Sequence, residues 1–94
     1  MRIPKRVKIG AHEYAVRWSE GMEAHGKCRK ADGVILLDES IRGNAAETVD
    51  TFLHESLHAL DFHAKLDLGE DRVHRLAFQL TAFLLENKLL RLDG

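Results

Sequence analysis

A long amphipathic stretch in the middle of the chain limits the folds that this sequence can adopt. Between about Ala45 and Ala64, apolar residues recur at the spacing of one helical stripe, formed by Val49, Leu53, Leu57, Leu60 and Ala64. A helix with a single apolar stripe is stable mainly because that stripe packs against another element. The rest of this chain of 94 residues must therefore supply a layer that covers it.

A second helix is predicted from about residue 70 to residue 90. After a break at residues 65–69, a new apolar stripe begins, formed by Val73, Leu76, Ala77, Leu80 and Leu84. The same helix carries a second apolar row that contains Phe78, Ala82, Leu85 and Leu89. Two apolar rows are more than a surface helix requires, which indicates either deep burial or a homodimer contact through this helix.

The covering layer is predicted in the first half of the chain. Apolar and polar residues alternate from Arg6 to Ser19 around a turn at Gly10-Ala11, and Val34 to Asp38 form a further strand. Residues 20–30 are polar and are expected to form a loop. The sequence thus predicts one α+β domain over residues 1–94. A small, mostly antiparallel sheet of about three strands, within residues 6–38, is followed by the two helices.

Charge and cysteine content narrow the class of partner and the compartment. The formal net charge is −1, which argues against nucleic acid or an anionic membrane as the partner. No apolar run approaches the roughly 20 residues that span a bilayer. Cys28 is the only cysteine, and no signal peptide follows the N-terminal charges, so we expect a cytoplasmic protein.

Two histidines on the first helix carry the clearest chemical signal. His54 and His58 are four residues apart, or about 40° on a helix, so their imidazoles converge on one point. Glu55 follows the first of them, and the segment matches the pattern H-E-x-x-H. Two neutral imidazoles hold Zn²⁺ in this pattern, and the glutamate takes a proton from a metal-bound water as it attacks a carbonyl. The alternative is a pair of ordinary histidines on an amphipathic helix.

A zinc site needs a third protein ligand, and the sequence leaves two candidates. His63 is set aside because it projects about 180° from His54 and is expected to complement the helix dipole. On the second helix, Glu70 and His74 share one face. An acidic residue in a first turn has an ordinary explanation, so His74 is favoured, with Glu70 as its partner or as the replacement ligand. Asp61 is expected to orient one of the histidines.

These segments resemble the zincin metallopeptidases, among them the very small, often phage-encoded minigluzincins and their SprT-like and ImmA-like relatives. The resemblance covers most of the chain and rests on the strand at residues 33–38, the segment Thr51–Asp61 and the helix around residues 73–77. It implies that Glu55 is the general base and acid, and that the strand at residues 34–38 is the rim on which an extended peptide lies. Gluzincins take their third ligand from a glutamate on the next helix, and the matching position here is His74.

The resemblance implies zinc-dependent hydrolysis of a peptide or protein substrate, with weak or partner-dependent activity expected. The group that stabilises the oxyanion is left open, because Tyr14 is assigned to an early strand, although Arg75 or a loop histidine such as His25 could approach the site. Cys28 is interpreted as inert. Two alternatives stay open, a zinc-stabilised protein-binding module without turnover and an α+β adaptor without metal.

Overall fold

The computed structural model describes residues 2–90 and confirms the α+β class. Four strands, β1 to β4, come first, at Arg6–Ile9, His12–Ser19, Gly26–Arg29 and Val34–Asp38. A short 3₁₀ turn at Glu39–Ile41 leads to two helices, α1 at Ala45–Ala64 and α2 at Gly69–Glu86. Within the described residues, neither helix is both long and apolar enough to cross a membrane.

The predicted β-hairpin is present as β1 and β2, which pair antiparallel from Arg6↔Ala15 to Ile9↔His12. Its two turn residues, Gly10 and Ala11, both have positive φ, at 59° and 68°. Positive φ at both positions is typical of the type I′ turn, whose twist matches that of the two strands it joins.

The sheet has one strand more than predicted, and two of its three pairings are antiparallel, which confirms the mostly antiparallel sheet. The strand order is β1-β2-β4-β3, with β2 and β4 parallel and the two outer pairs antiparallel. Strand β3 lies within the residues expected to form a loop, because its exposed positions are Lys27 and Arg29 and its only apolar side chain is Cys28. This order encloses β4 on both sides and makes β3 an edge of the sheet.

One face of the sheet packs on α1 in a single apolar cluster that includes Tyr14, Ile35, Leu37, Phe52 and Ala59. Ile35 and Leu37 are fully buried, and burial of each such side chain contributes about 1.5–3 kcal/mol to folding. Of the predicted stripe, Val49 is buried, whereas Leu60 is 42% exposed and the neighbouring Ala59 is fully buried. The predicted helix is therefore correct, but its core-facing side follows the predicted stripe only in part.

Local hydrogen bonds set the limits of α1 and the start of α2. The side chain of Asn44 accepts a hydrogen bond from the backbone N–H of Glu47 at 3.0 Å, so Asn44 is the N-cap of α1. At the other end Lys65 adopts the left-handed conformation, with φ of 55°. The carboxylate of Asp61 then accepts the backbone N–H of Leu68 at 3.1 Å and ties the short connection to α1.

Helix α2 ends at Glu86, four residues before the predicted end near Leu90. Lys88 has φ of 55°, and the N–H of Leu89 donates to the carbonyl of Leu84 at 2.8 Å, which is the pattern of a Schellman motif. The buried residues of α2 are Val73, Ala77 and Thr81. Phe78, in the second apolar row, is 60% exposed. Of the two explanations for that row, deep burial is therefore wrong at Phe78.

His63, near the end of α1, contacts the β-hairpin on the side of the helix away from His54. Its Nε2 lies 2.7 Å from the hydroxyl of Tyr14, and its ring stacks on His12 at a centroid distance of 4.1 Å. A Cβ on Gly10 would lie 2.6 Å from the Cβ of His63, so a side chain at that turn position would prevent this contact. The structure thus gives His63 a packing role as well as its position in the last turn of the helix.

The contact of His63 makes stability depend on pH. Burial, followed by the nearby His12, lowers the pKa of His63 below its ordinary value. The unfolded chain therefore binds the proton first, and the free energy of unfolding should fall as pH drops below about 6.5. At higher pH the contribution of this contact is fully present and no longer changes with pH. Urea unfolding should show a larger gap between wild type and His63→Gln at about pH 7.5 than at about pH 5. A gap that widens at the lower pH would contradict this contact.

Candidate metal centre

Helix α1 brings two imidazoles to one point at the edge of the sheet. The Nε2 atoms of His54 and His58 lie 3.2 Å apart, and their side chains are 16% and 20% exposed. Residues four apart lie on the same side of a helix, so the local geometry alone explains this convergence. The structure shows the arrangement that the sequence spacing predicted.

Glu70, in the first turn of α2, completes the group. Its Oε1 accepts from Nε2 of His54 at 2.8 Å, and its Oε2 accepts from Nε2 of His58 at 2.7 Å. Burial alone would raise the pKa of Glu70, but the two imidazoles hold the pKa below its ordinary value. Among residues 2–90, this is the one group of three metal-ligating side chains whose ligand atoms all lie within 4.8 Å of one another.

The donor set fits a zinc ion. Two imidazole nitrogens and one carboxylate are ordinary zinc ligands, and three protein ligands leave a fourth position open. In a tetrahedral site with bonds of about 2.0–2.1 Å, two nitrogens lie about 3.3 Å apart. The observed 3.2 Å between the two Nε2 atoms agrees with that value.

His74, the third ligand favoured from the sequence, lies beside this group rather than in it. Its ring is edge-on to the ring of His54, with centroids 5.9 Å apart. The group of three ligand atoms contains Glu70 instead. The reason is the angle of approach, because the short connection held by Asp61 brings the first turn of α2 to the imidazoles, while His74 follows one turn later. The geometry thus favours Glu70.

Glu55 is the buried acidic side chain beside the group. It is only 8% exposed, and burial raises the pKa of its carboxyl, as does Glu70, whereas His54 and Lys30 lower it. Gly26 of β3 makes room for it. A Cβ at Gly26 would lie 3.2 Å from Oε2 of Glu55 and 2.6 Å from Cγ2 of Thr51, so a larger residue would push the strand from the helix.

The group opens into a groove between α1, β3 and α2, with a cavity volume of about 530 Å³. Its floor is α1 from Asp50 to His58, one wall runs from His25 to Lys30, and Glu70 and His74 form the other wall. We call this the α1–β3 groove. The rim that the sequence assigned to residues 34–38 is wrong, because β4 has a neighbouring strand on each side, and β3 is the edge at the groove.

Of the three side chains considered for stabilising the oxyanion, His25 is the one that lines the groove. Tyr14 is 1% exposed and bonded to His63, so it does not reach the groove. Arg75 pairs with Asp71 on the exposed side of α2. His25 does line the groove, with its Nδ1 3.0 Å from a carboxylate oxygen of Glu47.

Sequence reasoning missed the side chains of β3. Cys28, interpreted as a loop residue, is half-buried on the groove wall, and burial raises the pKa of its thiol. Lys30, directly after β3, also lines the groove, and no sequence pattern marks it. Recognition of Gly26–Arg29 as a strand would have placed Cys28 on this wall and Lys30 directly after it, but a segment with one apolar side chain gives no such signal.

No protein-family model, curated protein or solved structure matches this chain. The interpretation of the site therefore depends on its own geometry and on the spacing of its residues.

The two candidates for third ligand can be separated by metal titration. Glu70→Ala removes a ligand, so it should weaken zinc binding by more than about 100-fold. Loss of a residue that only supports a ligand weakens metal affinity by about 100-fold at most. His74→Ala should change affinity by about tenfold or less. Competition with a chromophoric chelator measures both, with His54→Ala as the positive control and circular dichroism to verify folding. Loss of zinc in His74→Ala with retention in Glu70→Ala would restore the sequence assignment.

Proposed function

We propose that this protein is a zinc-dependent peptide hydrolase. His54, His58 and Glu70 hold the metal, and Glu55 acts as the general base. The observation that carries the proposal is the convergence of three ligand atoms, within 4.8 Å, in an open groove beside a buried carboxylate. Neither a structural metal site nor an ordinary salt bridge requires the buried acid or the groove.

The ligand set suits hydrolysis. Zinc bound to two neutral imidazoles and one carboxylate keeps a net positive charge, lowers the pKa of a bound water and polarises a carbonyl oxygen. A structural zinc site is usually closed by four protein ligands, whereas the described residues supply three. The open side of the group faces the groove, where a substrate can enter.

Glu55 handles the proton in this proposal. It lies one residue from His54 and is held between α1 and β3 by the close approach at Gly26. A carboxylate in that position accepts the proton of the attacking water and returns it to the nitrogen of the leaving amine. Its burial limits competing solvent, which strengthens its interaction with the reacting groups.

The free edge of β3 supports a peptide as the substrate. An edge strand presents unpaired backbone N–H and C=O groups, which can pair with an extended chain irrespective of side chains. Cys28 and Gly26 lie on the same wall as the buried Glu55, so a peptide along this edge would pass the acid and the metal ligands. We assign β3 as the substrate-binding strand.

His74 is the side chain best placed for the carbonyl oxygen of the substrate. It lines the groove beside His54, is exposed to the groove and belongs to none of the three ligand contacts. An imidazole N–H there can donate a hydrogen bond to the oxyanion that forms during hydrolysis. This role would explain a histidine at the site without making it a ligand.

We also place the protein in the cytoplasm. Cys28 is a free thiol on the groove wall. A reducing compartment keeps such a thiol from oxidation, which would put a polar group beside Glu55.

A second function, a zinc-stabilised module that binds another protein, is favoured by one observation. Helix α2 exposes Leu76, Phe78 and Phe83 by 42%, 60% and 55%. Apolar side chains in such number on one helix are typical of a contact surface. The two functions differ in whether Glu55 is needed.

Replacing the general base separates these functions. Glu55→Gln keeps the size of the side chain, so zinc stoichiometry and the melting temperature should stay close to wild type. Hydrolysis of an unfolded protein such as casein, followed by intact-mass spectrometry, should fall by about 10²- to 10⁴-fold. Glu86→Gln, an exposed change on α2 with the same loss of charge, should retain full activity.

Equal hydrolysis by wild type and Glu55→Gln would overturn the catalytic role of this residue. Absence of hydrolysis in a zinc-loaded wild type, with capture of a partner by both proteins, would move the binding module to first place.

A further inference from the structure

The charges along the α1–β3 groove differ between its two ends. At one end the wall residue Gly26 approaches Thr51, one residue after Asp50 on α1. At the other end the ammonium group of Lys30 lies over the ring of Phe62, 5.6 Å from its centroid. Strand β3 and helix α1 therefore run in the same direction along the groove, from an acidic end at Asp50 to a basic end at Lys30.

These two end charges are available to a ligand. Within residues 2–90, neither Asp50 nor Lys30 has an ion-pair partner, whereas His25 is paired with Glu47 and Arg29 with Asp32. Lys27, which also contributes to the groove lining, has no ion-pair partner in that range either, but alternation along β3 directs its side chain to the face away from α1. The groove thus offers one free carboxylate and one free ammonium group at opposite ends.

The surroundings of Asp50 suit a lysine or arginine side chain of a ligand, and those of Lys30 suit an acidic one. Asp50 also lines a second, shallower cavity of about 410 Å³, on whose wall Phe78 is 60% exposed. The aliphatic stem of a lysine or arginine can pack there while its charged head reaches the carboxylate. Lys30 is exposed and held near the mouth of the groove by Phe62, where it can meet an acidic side chain.

The spacing of the two ends sets the spacing of the substrate charges. From Asp50 to Phe62 there are twelve helical steps, or about 18 Å at 1.5 Å per residue. An extended peptide advances about 3.3 Å per residue. The two complementary side chains of a substrate should therefore lie about five residues apart.

From this geometry we propose a charge polarity for the substrate, an inference that rests on the proposed hydrolase function. The substrate is an extended peptide with an acidic residue on the N-terminal side of the cleaved bond and a basic residue about five positions later. The order follows from antiparallel pairing with β3, which is somewhat more stable per residue than parallel pairing and starts the peptide at the Lys30 end. Lys30 and Asp50 are the residues that determine this specificity.

Binding of two isomeric peptides tests the polarity without turnover. Both are capped nine-residue peptides of neutral sequence. One has glutamate at the second position and lysine at the seventh, and the other has these two residues exchanged. Fluorescence anisotropy with zinc-loaded Glu55→Gln protein should show the first peptide binding about three- to tenfold more tightly, an effect that salt weakens.

Charge reversal provides the matched controls. The double variant Lys30→Glu with Asp50→Lys should invert the preference between the two peptides. The double variant Lys8→Glu with Glu20→Lys, which changes exposed charges outside the groove by the same amounts, should leave it unchanged. Melting temperatures of both variants verify that they fold.

The results separate this inference from the function on which it rests. Equal binding of the isomers, or a preference for the exchanged one, would overturn the polarity even when wild type cleaves peptides. The expected preference, inverted by the double variant, would support it even when wild type cleaves nothing.

Discussion

The packing of α1 against the sheet is the contact on which the rest of the structure depends. A single helix face holds Phe52 and Ala59 in the apolar cluster and, between them, the carboxylate of Glu55. Small residues allow α1 to approach the sheet closely. Ala59 is fully buried, and Gly26 of the edge strand has no Cβ that would collide with Thr51 or Glu55. The same close approach that excludes water from the core thus holds an acidic group at the rim of a groove.

A buried carboxylate in such a small core has an energetic cost. Burial disfavours the charged form of Glu55 and raises the pKa of its carboxyl. A domain with few large buried side chains has little stability to spare for that cost. Such an arrangement is typical of a functional site, where an unfavourable local environment persists because the chemistry requires it.

The connection between the two helices places Glu70 of α2 beside the two imidazoles of α1. Asp61 accepts the N–H of Leu68 and shortens the path from α1 to α2, so the first turn of α2 meets the two imidazoles. A residue that the sequence suggested as a direct support for a histidine therefore acts through the backbone. On its other side α1 is fixed to the hairpin by the contact of His63 with Tyr14.

Sequence by itself determined the elements whose signal is local. Alternating apolar and polar residues predicted the hairpin, and apolar residues at helical spacing predicted α1 and α2. The interval of four residues predicted that His54 and His58 converge. Tertiary structure alone decided the edge strand β3, the parallel pairing of β2 with β4, and that Glu70, not His74, forms a close group with the two imidazoles. Each of these depends on contacts between segments distant in sequence. An edge strand needs little apolar character, and a ligand from a second helix depends on the angle at which that helix approaches the first.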